Sequence, residues 1–295
     1  LAVSAGLCAG VLLVAGCSSS GTSTGTAASA TSSASSAVSS IAAQVPSAIK
    51  NKGTLTVAAD ATYAPNEFIA SNGHTVVGMD ADLAQALGQV LGLKVNVVNA
   101  TFDTIIPSVV SGKYDLGMSS FTDTRQRQKS VDFVDYFEAG TSFYVKASGG
   151  PAITSLADLC GHRVAVEKGT TQQADAQAQA AKCASAGRPA VTVGVFNDQN
   201  AVNLALSSGR ADVAMADSPV AAYQVKQSNG AFKLSGQPYG SAPYGIAVGK
   251  GSGMAKPVLA ALEHLKANAT YMRILDKWGV QDGAISAPAI NGATS

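Results

Sequence analysis

Ser119, Ser120 and Thr122 close a short apolar run over residues 114–118, and Arg127 follows shortly after. Hydroxyls and free N–H groups at a strand end, beside a helix N-terminus and an arginine, make a socket for a carboxylate. A solvated arginine on a capped surface helix would use the same residue types. A near-copy downstream favours the socket. Ser208-Gly209-Arg210-Ala211-Asp212-Val213-Ala214-Met215-Ala216 repeats the character of Ser111-Gly112-Lys113-Tyr114-Asp115-Leu116-Gly117-Met118-Ser119 position by position. After the second copy stands Asp217, where the first has Ser120. One copy thus offers donors for an anion and the other a carboxylate for a cation. Facing each other, they would grip a zwitterion.

The elements that must position these groups alternate in type. A strand over 54–59 runs into the polar-aromatic loop 60–65, and a hairpin is expected around Asn72-Gly73. An amphipathic helix opens at 78–83, shows Leu83, Leu87, Val90 and Leu91 on one face, and stops at Gly92. Asp80 and Asp82 at its start read as capping residues rather than a catalytic pair. A strand over 94–98 and a helix over 103–111 follow, and a polar helix carrying Arg127 is expected from Asp123 or Thr124. This order implies a largely parallel sheet, whose ligands bind beyond the carboxyl ends of the strands. Asp60, Tyr63, Phe102, Ser119, Ser120 and Thr122 all fall there, with Tyr63 and Phe102 suited to stack on a ligand.

The second unit repeats the plan: strand 163–166, a glycine turn over 167–171, helix 172–186, strand 191–196, helix 199–208 and strand 212–216. Residues 143–146 leave the first unit and 244–248 cross back, before helices over 254–267 and 270–277 end at Trp278-Gly279. About a dozen helical residues, as far as Cys183, rise ~18 Å, and about five strand residues span ~16 Å in the opposite direction. Cys183 therefore returns close to Cys160. With no C-x-x-C spacing in an exported chain, a disulfide is preferred over metal ligation.

At 295 residues with 46% hydrophobic content, the chain suits two lobes. A net charge of +1 and the absence of a basic, aromatic-rich face argue against nucleic-acid binding. His74, His162 and His264 are scattered, no nucleophile elbow or phosphate loop occurs, and Gly249-Lys250-Gly251-Ser252-Gly253 reads as a surface turn. No metal or cofactor is expected. Residues 1–16 read as a signal peptide ending in a lipobox at Leu13-Val14-Ala15-Gly16-Cys17, with Cys17 lipidated. The Ser/Thr/Ala/Gly-rich stretch to residue 40 reads as a flexible tether, and folded structure is expected from Ile41.

Gly78-Met79-Asp80-Ala81-Asp82-Leu83, the run 103–137, Lys168-Gly169-Thr170-Thr171-Gln172 and Ala216-Asp217-Ser218-Pro219 resemble the family 3 solute-binding proteins of polar amino-acid ABC importers. The likeness covers about residues 54–280, in the family's order. Met79 and Asn66 depart from the bulkier residues usual there. The resemblance implies a type II periplasmic-binding-protein fold, α/β, with two mostly parallel sheets flanked by helices and joined by two crossover strands. Its expected divisions are lobe 1 over 41–144 and 241–282, lobe 2 over 145–240, and a tail over 283–295. It makes Arg127 the α-carboxylate partner, with Ser120, Thr122 and Thr171 assisting, and Asp217 the α-ammonium partner. Tyr63 and Phe102 become stacking walls, Asp60 a contact for polar groups of the ligand, and Gln172 a lining of the side-chain end. The implied protein is a monomer, anchored to the outer face of a bacterial membrane through its lipid, that delivers an amino acid to an importer permease. A dehydratase of small cyclic acids or a sensory module on the same fold are the alternatives.

Overall fold

A computed structural model describes residues 36–293. The expected signal peptide over 1–16, Cys17 and the tether as far as residue 35 lie outside the described residues. Residues 36–43 are helical, so structure reaches back past Ile41 into the stretch read as tether. Ile41 packs on the core and Val45 is buried in it, which gives these turns an apolar anchor.

The first lobe opens with α1 (Ser47–Lys52) and β1 (Thr54–Ala59), followed by a small antiparallel sheet of β2 (Thr62–Tyr63), β3 (Glu67–Ile69) and β4 (Val76–Val77). Next come α2 (Met79–Leu91), β5 (Lys94–Asn99), α3 (Phe102–Val110) and β6 (Leu116–Gly117). α2 buries Leu83, Leu87, Val90 and Leu91, as its spacing predicts, and Gly92 ends it in the left-handed conformation. The long strand β7 (Val131–Lys146) then leads into the second lobe: β8 (Arg163–Glu167), α4 (Thr171–Ser185), β9 (Thr192–Phe196), α5 (Gln199–Ser207), β10 (Val213–Asp217) and α6 (Ser218–Gln227). A second long strand, β11 (Phe232–Gly249), returns to α7 (Ala255–Ala267) and α8 (Thr270–Trp278).

The eight-stranded sheet runs β5-β1-β6-β11-β7-β10-β8-β9, so β7 and β11 belong to both lobes. Their mutual register shifts three times between Ser235 and Gly245. Such irregularities bend and twist a ladder where the two long strands run between the lobes.

The sequence repeat is a structural repeat. β6 lies parallel to β1 and antiparallel to β11, and β10 lies parallel to β8 and antiparallel to β7. Each copy enters its strand through a left-handed glycine, Gly112 at φ +75° and Gly209 at φ +76°. The aspartate of each copy accepts a backbone N–H from the lobe's first strand: Asp115 from Thr56 at 2.7 Å, Asp212 from Arg163 at 2.9 Å. Ser120 and Asp217 therefore leave the sheet at equivalent places.

Two expectations are corrected. No full helix carries Arg127; a single 3-10 turn, Arg127–Lys129, is all that forms. The alternating apolar run of β7 begins at Val131, and its burial draws the chain into the sheet before a helix can propagate. Asp80 and Asp82 do not cap α2, whose N-cap is Gly78 without a side-chain bond. Asp80 instead accepts from Ser120 N and Tyr136 Oη, and Asp82 from Lys277 Nζ and Trp278 Nε1.

Candidate ligand-binding site

The first lobe supplies a floor of strand ends. Ser120 adopts φ +50°, a conformation that costs a non-glycine residue ~1 kcal/mol. Three bonds hold it there: its N–H donates to Asp80 at 3.0 Å, its hydroxyl donates to Glu67 at 3.2 Å, and the hydroxyl accepts from Asn66 at 2.9 Å. Asp80 and Glu67 are fully buried, and desolvation pushes both carboxyls upward, Glu67 further because Asp80 lies beside it. Like charges so close cannot both ionise cheaply, so the pair holds a proton behind the floor. Asn66 thus has a defined task, donating to the Ser120 hydroxyl.

Arg127 spans the cleft. Its Nη1 donates to Thr122 O at 2.8 Å and its Nη2 to Gly169 O of the second lobe at 3.0 Å. The guanidinium lies over Phe102 at 5.3 Å and Phe121 at 5.5 Å, and these rings stack on each other at 4.5 Å. Burial lowers its pKa, and the charge of Asp217 is the first influence opposing that fall. A desolvated, planar fork on two aromatic faces is well placed to gain from a carboxylate.

The second lobe offers the opposite charge. Asp217 stands at the N-cap position of α6 yet makes no side-chain cap. Instead its Oδ1 accepts from Gln172 Nε2 at 2.6 Å and its Oδ2 from Tyr244 Oη at 2.6 Å. Desolvation raises its pKa, while those two donors and Arg127 pull it down. Thr170 caps α4 by accepting from Gln173 N, and the positive end of that helix opens on the cleft beside Thr171.

The lobes touch directly. Besides Arg127 on Gly169, Lys168 pairs with Asp103 at 2.8 Å and Gln199 N donates to Thr62 at 3.2 Å. Gly169, at φ +80°, passes so close that a Cβ there would lie 2.9 Å from that of Asp103. Between them lies a narrow cleft lined by Tyr63, Phe102, Ser120, Thr122, Arg127, Thr171, Gln172 and Asp217 from the expected set. Ser119 does not line it: fully buried, it accepts from Asp60 N at 2.8 Å. Asp60 sits behind the lining, with Oδ2 accepting from Phe102 N at 3.0 Å and so capping α3. Thr170, Gln199, Ala216 and Val220 also face the cleft, and Glu167 and Tyr244 act directly behind it. Sequence reading missed these. Only Glu167 carried a signal, a charge at the end of an apolar strand.

Two lobes, two crossover strands and opposite charges across one cleft define a solute-binding protein of the closing-clamp type. Residues 55–281 match the model of bacterial extracellular solute-binding proteins, family 3, and the chain belongs to that family. It is similar to the arginine-binding protein ArgT of Corynebacterium glutamicum, 33% identical over 250 residues covering 84% of this chain and 82% of that one. The ABC transporter glutamine-binding protein GlnH of Bacillus subtilis is 34% identical over 215 residues, 71% of this chain and 75% of its own. Among solved structures, an ancestral arginine-binding protein bound to arginine superposes with a TM-score of 0.71 at 40% identity. It covers 77% of this chain and 98% of its own. Among the described residues no helix is long and apolar enough to cross a membrane, and no group of acids, histidines or cysteines is arranged to hold a metal.

Proposed function

We propose that the cleft captures one α-amino acid and that the protein delivers it to an ABC importer. The observation that carries this reading is Arg127 of one lobe and Asp217 of the other, acting on each other across a single cleft. A carboxylate on the first and an ammonium on the second would be held together only when the lobes are shut, so ligand favours closure. Thermal-shift screening of the purified protein against the amino acids tests it, because binding to the native state raises apparent stability. Stabilisation by none of them would sink the reading. Mass spectrometry of the recovered ligand separates binder from enzyme: a chemically altered ligand would establish the dehydratase alternative.

The lobes divide near residues 144–145 and 240–241, within the two long strands β7 and β11 that pass between them. The protein acts as a monomer, held to the outer membrane face by lipid on Cys17. Metabolic palmitate labelling should mark the wild type and be abolished in Cys17→Ala; persistent label in that variant would refute the anchor.

Cys160 and Cys183 form a disulfide in the exported protein. Their Cα atoms lie 5.8 Å apart, within the usual bridging range, and the sequence separation is 23 residues. Closing such a loop should stabilise the fold by about 3 kcal/mol in the chain-entropy account. Unfolding in denaturant should show that loss in a Cys160→Ser, Cys183→Ser variant. Equal stability with and without reductant in the wild type would count against the bridge.

A further inference from the structure

Glu167 ends β8 of the second lobe, is 1% exposed, and has no hydrogen-bond partner at either carboxylate oxygen. An acid so placed is costly unless something charged completes it. Its neighbours do not. Asp60 and Tyr63 of the first lobe face it closely enough to act on it, though without hydrogen-bond geometry, and Asp198 adds a further negative charge. The Tyr63 hydroxyl is itself buried and unpartnered. Asp60 satisfies Thr62 Oγ1 and Phe102 N, and Asp198 satisfies Ala201 N at the cap of α5. Lys168, next in sequence to Glu167, points to Asp103 instead. The charges acting on Glu167 are Asp60 and Asp198, both acids, and Glu167 lies against Tyr63, which walls the cleft.

We infer that Glu167, with Asp60 and Tyr63, forms a subsite for a cationic ligand side chain, specifically a guanidinium. This rests on the amino-acid reading above and decides which amino acid fits. Two unpartnered oxygens on one carboxylate match the two parallel N–H groups of a guanidinium edge. The delocalised, weakly hydrated cation suits an enclosed corner better than an ammonium. A neutral side-chain amide brings no positive charge to set against Asp60 and Glu167, so it gains nothing from their ionised forms. The two acids come from opposite lobes, so a cation between them would also favour closure.

Protonation supplies an independent readout. Burial first, then Asp60 and Asp198, push Glu167 up to about 10, and burial raises Asp60 too. A guanidinium favours the ionised carboxylate, so binding near neutral pH should release roughly one proton, and arginine affinity should rise with pH. Arg127 and Asp217, at the zwitterion end, are the other charges facing the ligand.

The test is calorimetric titration of the full chain with arginine, its neutral isostere citrulline, and glutamine, for wild type and Glu167→Gln. Arginine should bind wild type at least about a hundredfold tighter than citrulline, a buried ion-pair discrimination. That ratio should fall tenfold or more in Glu167→Gln, with proton release lost. Glu167→Asp should recover part of the ratio. A wild-type ratio below tenfold, or a ratio that falls less than tenfold in Glu167→Gln, would overturn the subsite. Tight binding of glutamine or citrulline in preference to arginine would overturn it while leaving the amino-acid reading intact. Binding of none of the three, nor of any other amino acid, would remove the amino-acid reading itself.

Discussion

Arg127→Ala should weaken amino-acid binding by about 3 kcal/mol or more, over a hundredfold. A ligand carboxylate enclosed between the lobes has lost its water, and an unpaired buried charge is very unfavourable. Arg127 is held for the purpose, fixed by two carbonyls and by the paired faces of Phe102 and Phe121. Removing it also deletes one bridge between the lobes, the bond to Gly169 O. Arg127→Lys should recover only part of the loss, because an ammonium is a point charge without the planar fork. Calorimetric titration of both variants measures this, and near-native affinity in Arg127→Ala would end the clamp account.

Asp217→Asn should weaken zwitterionic ligands by a similar amount, about 3 kcal/mol, while analogues lacking the α-amino group should lose less than about threefold. The asymmetry follows from the site. Gln172 and Tyr244 both donate to Asp217, so an amide there turns its NH₂ toward one of them and offers an ammonium a single neutral oxygen in place of a charged carboxylate. Acid should mimic the substitution. Burial raises the Asp217 pKa, and an ammonium partner favours its ionised form. Affinity is therefore full above the shifted range and falls as pH is lowered through it. Equal losses for amino acids and des-amino analogues in Asp217→Asn would show that Asp217 holds the cleft's shape rather than the ligand's charge.

The opposite charges on the two sides of the cleft were legible because they depend on local order. Ser120 and Asp217 follow copies of one strand, and the parallel-sheet rule puts both at carboxyl ends. Glycine, hydroxyl and carboxylate keep the same spacing whether or not the lobes meet. Ser119 and Asp60 belonged to the right strand ends, yet their bonds run inward, to each other and to the α3 cap. Side-chain direction at a strand end depends on which backbone donors arrive from other elements, and spacing does not encode that.

The acid corner and the proton pair behind Ser120 are tertiary properties in a stricter sense. Glu167 and Asp60 stand far apart in the chain and on different lobes; the closed arrangement brings them together and removes their water. Glu67 and Asp80 likewise meet because β3 packs beside the start of α2. Tyr244 reaches Asp217 by way of β11, whose path is set by pairing with β7. The sequence by itself determined the two α/β units, their repeat and the opposite charges at their strand ends, because local periodicity and strand order suffice for these. Which acids face one another was decided by packing, because desolvation and pairing act between groups that only the fold makes neighbours.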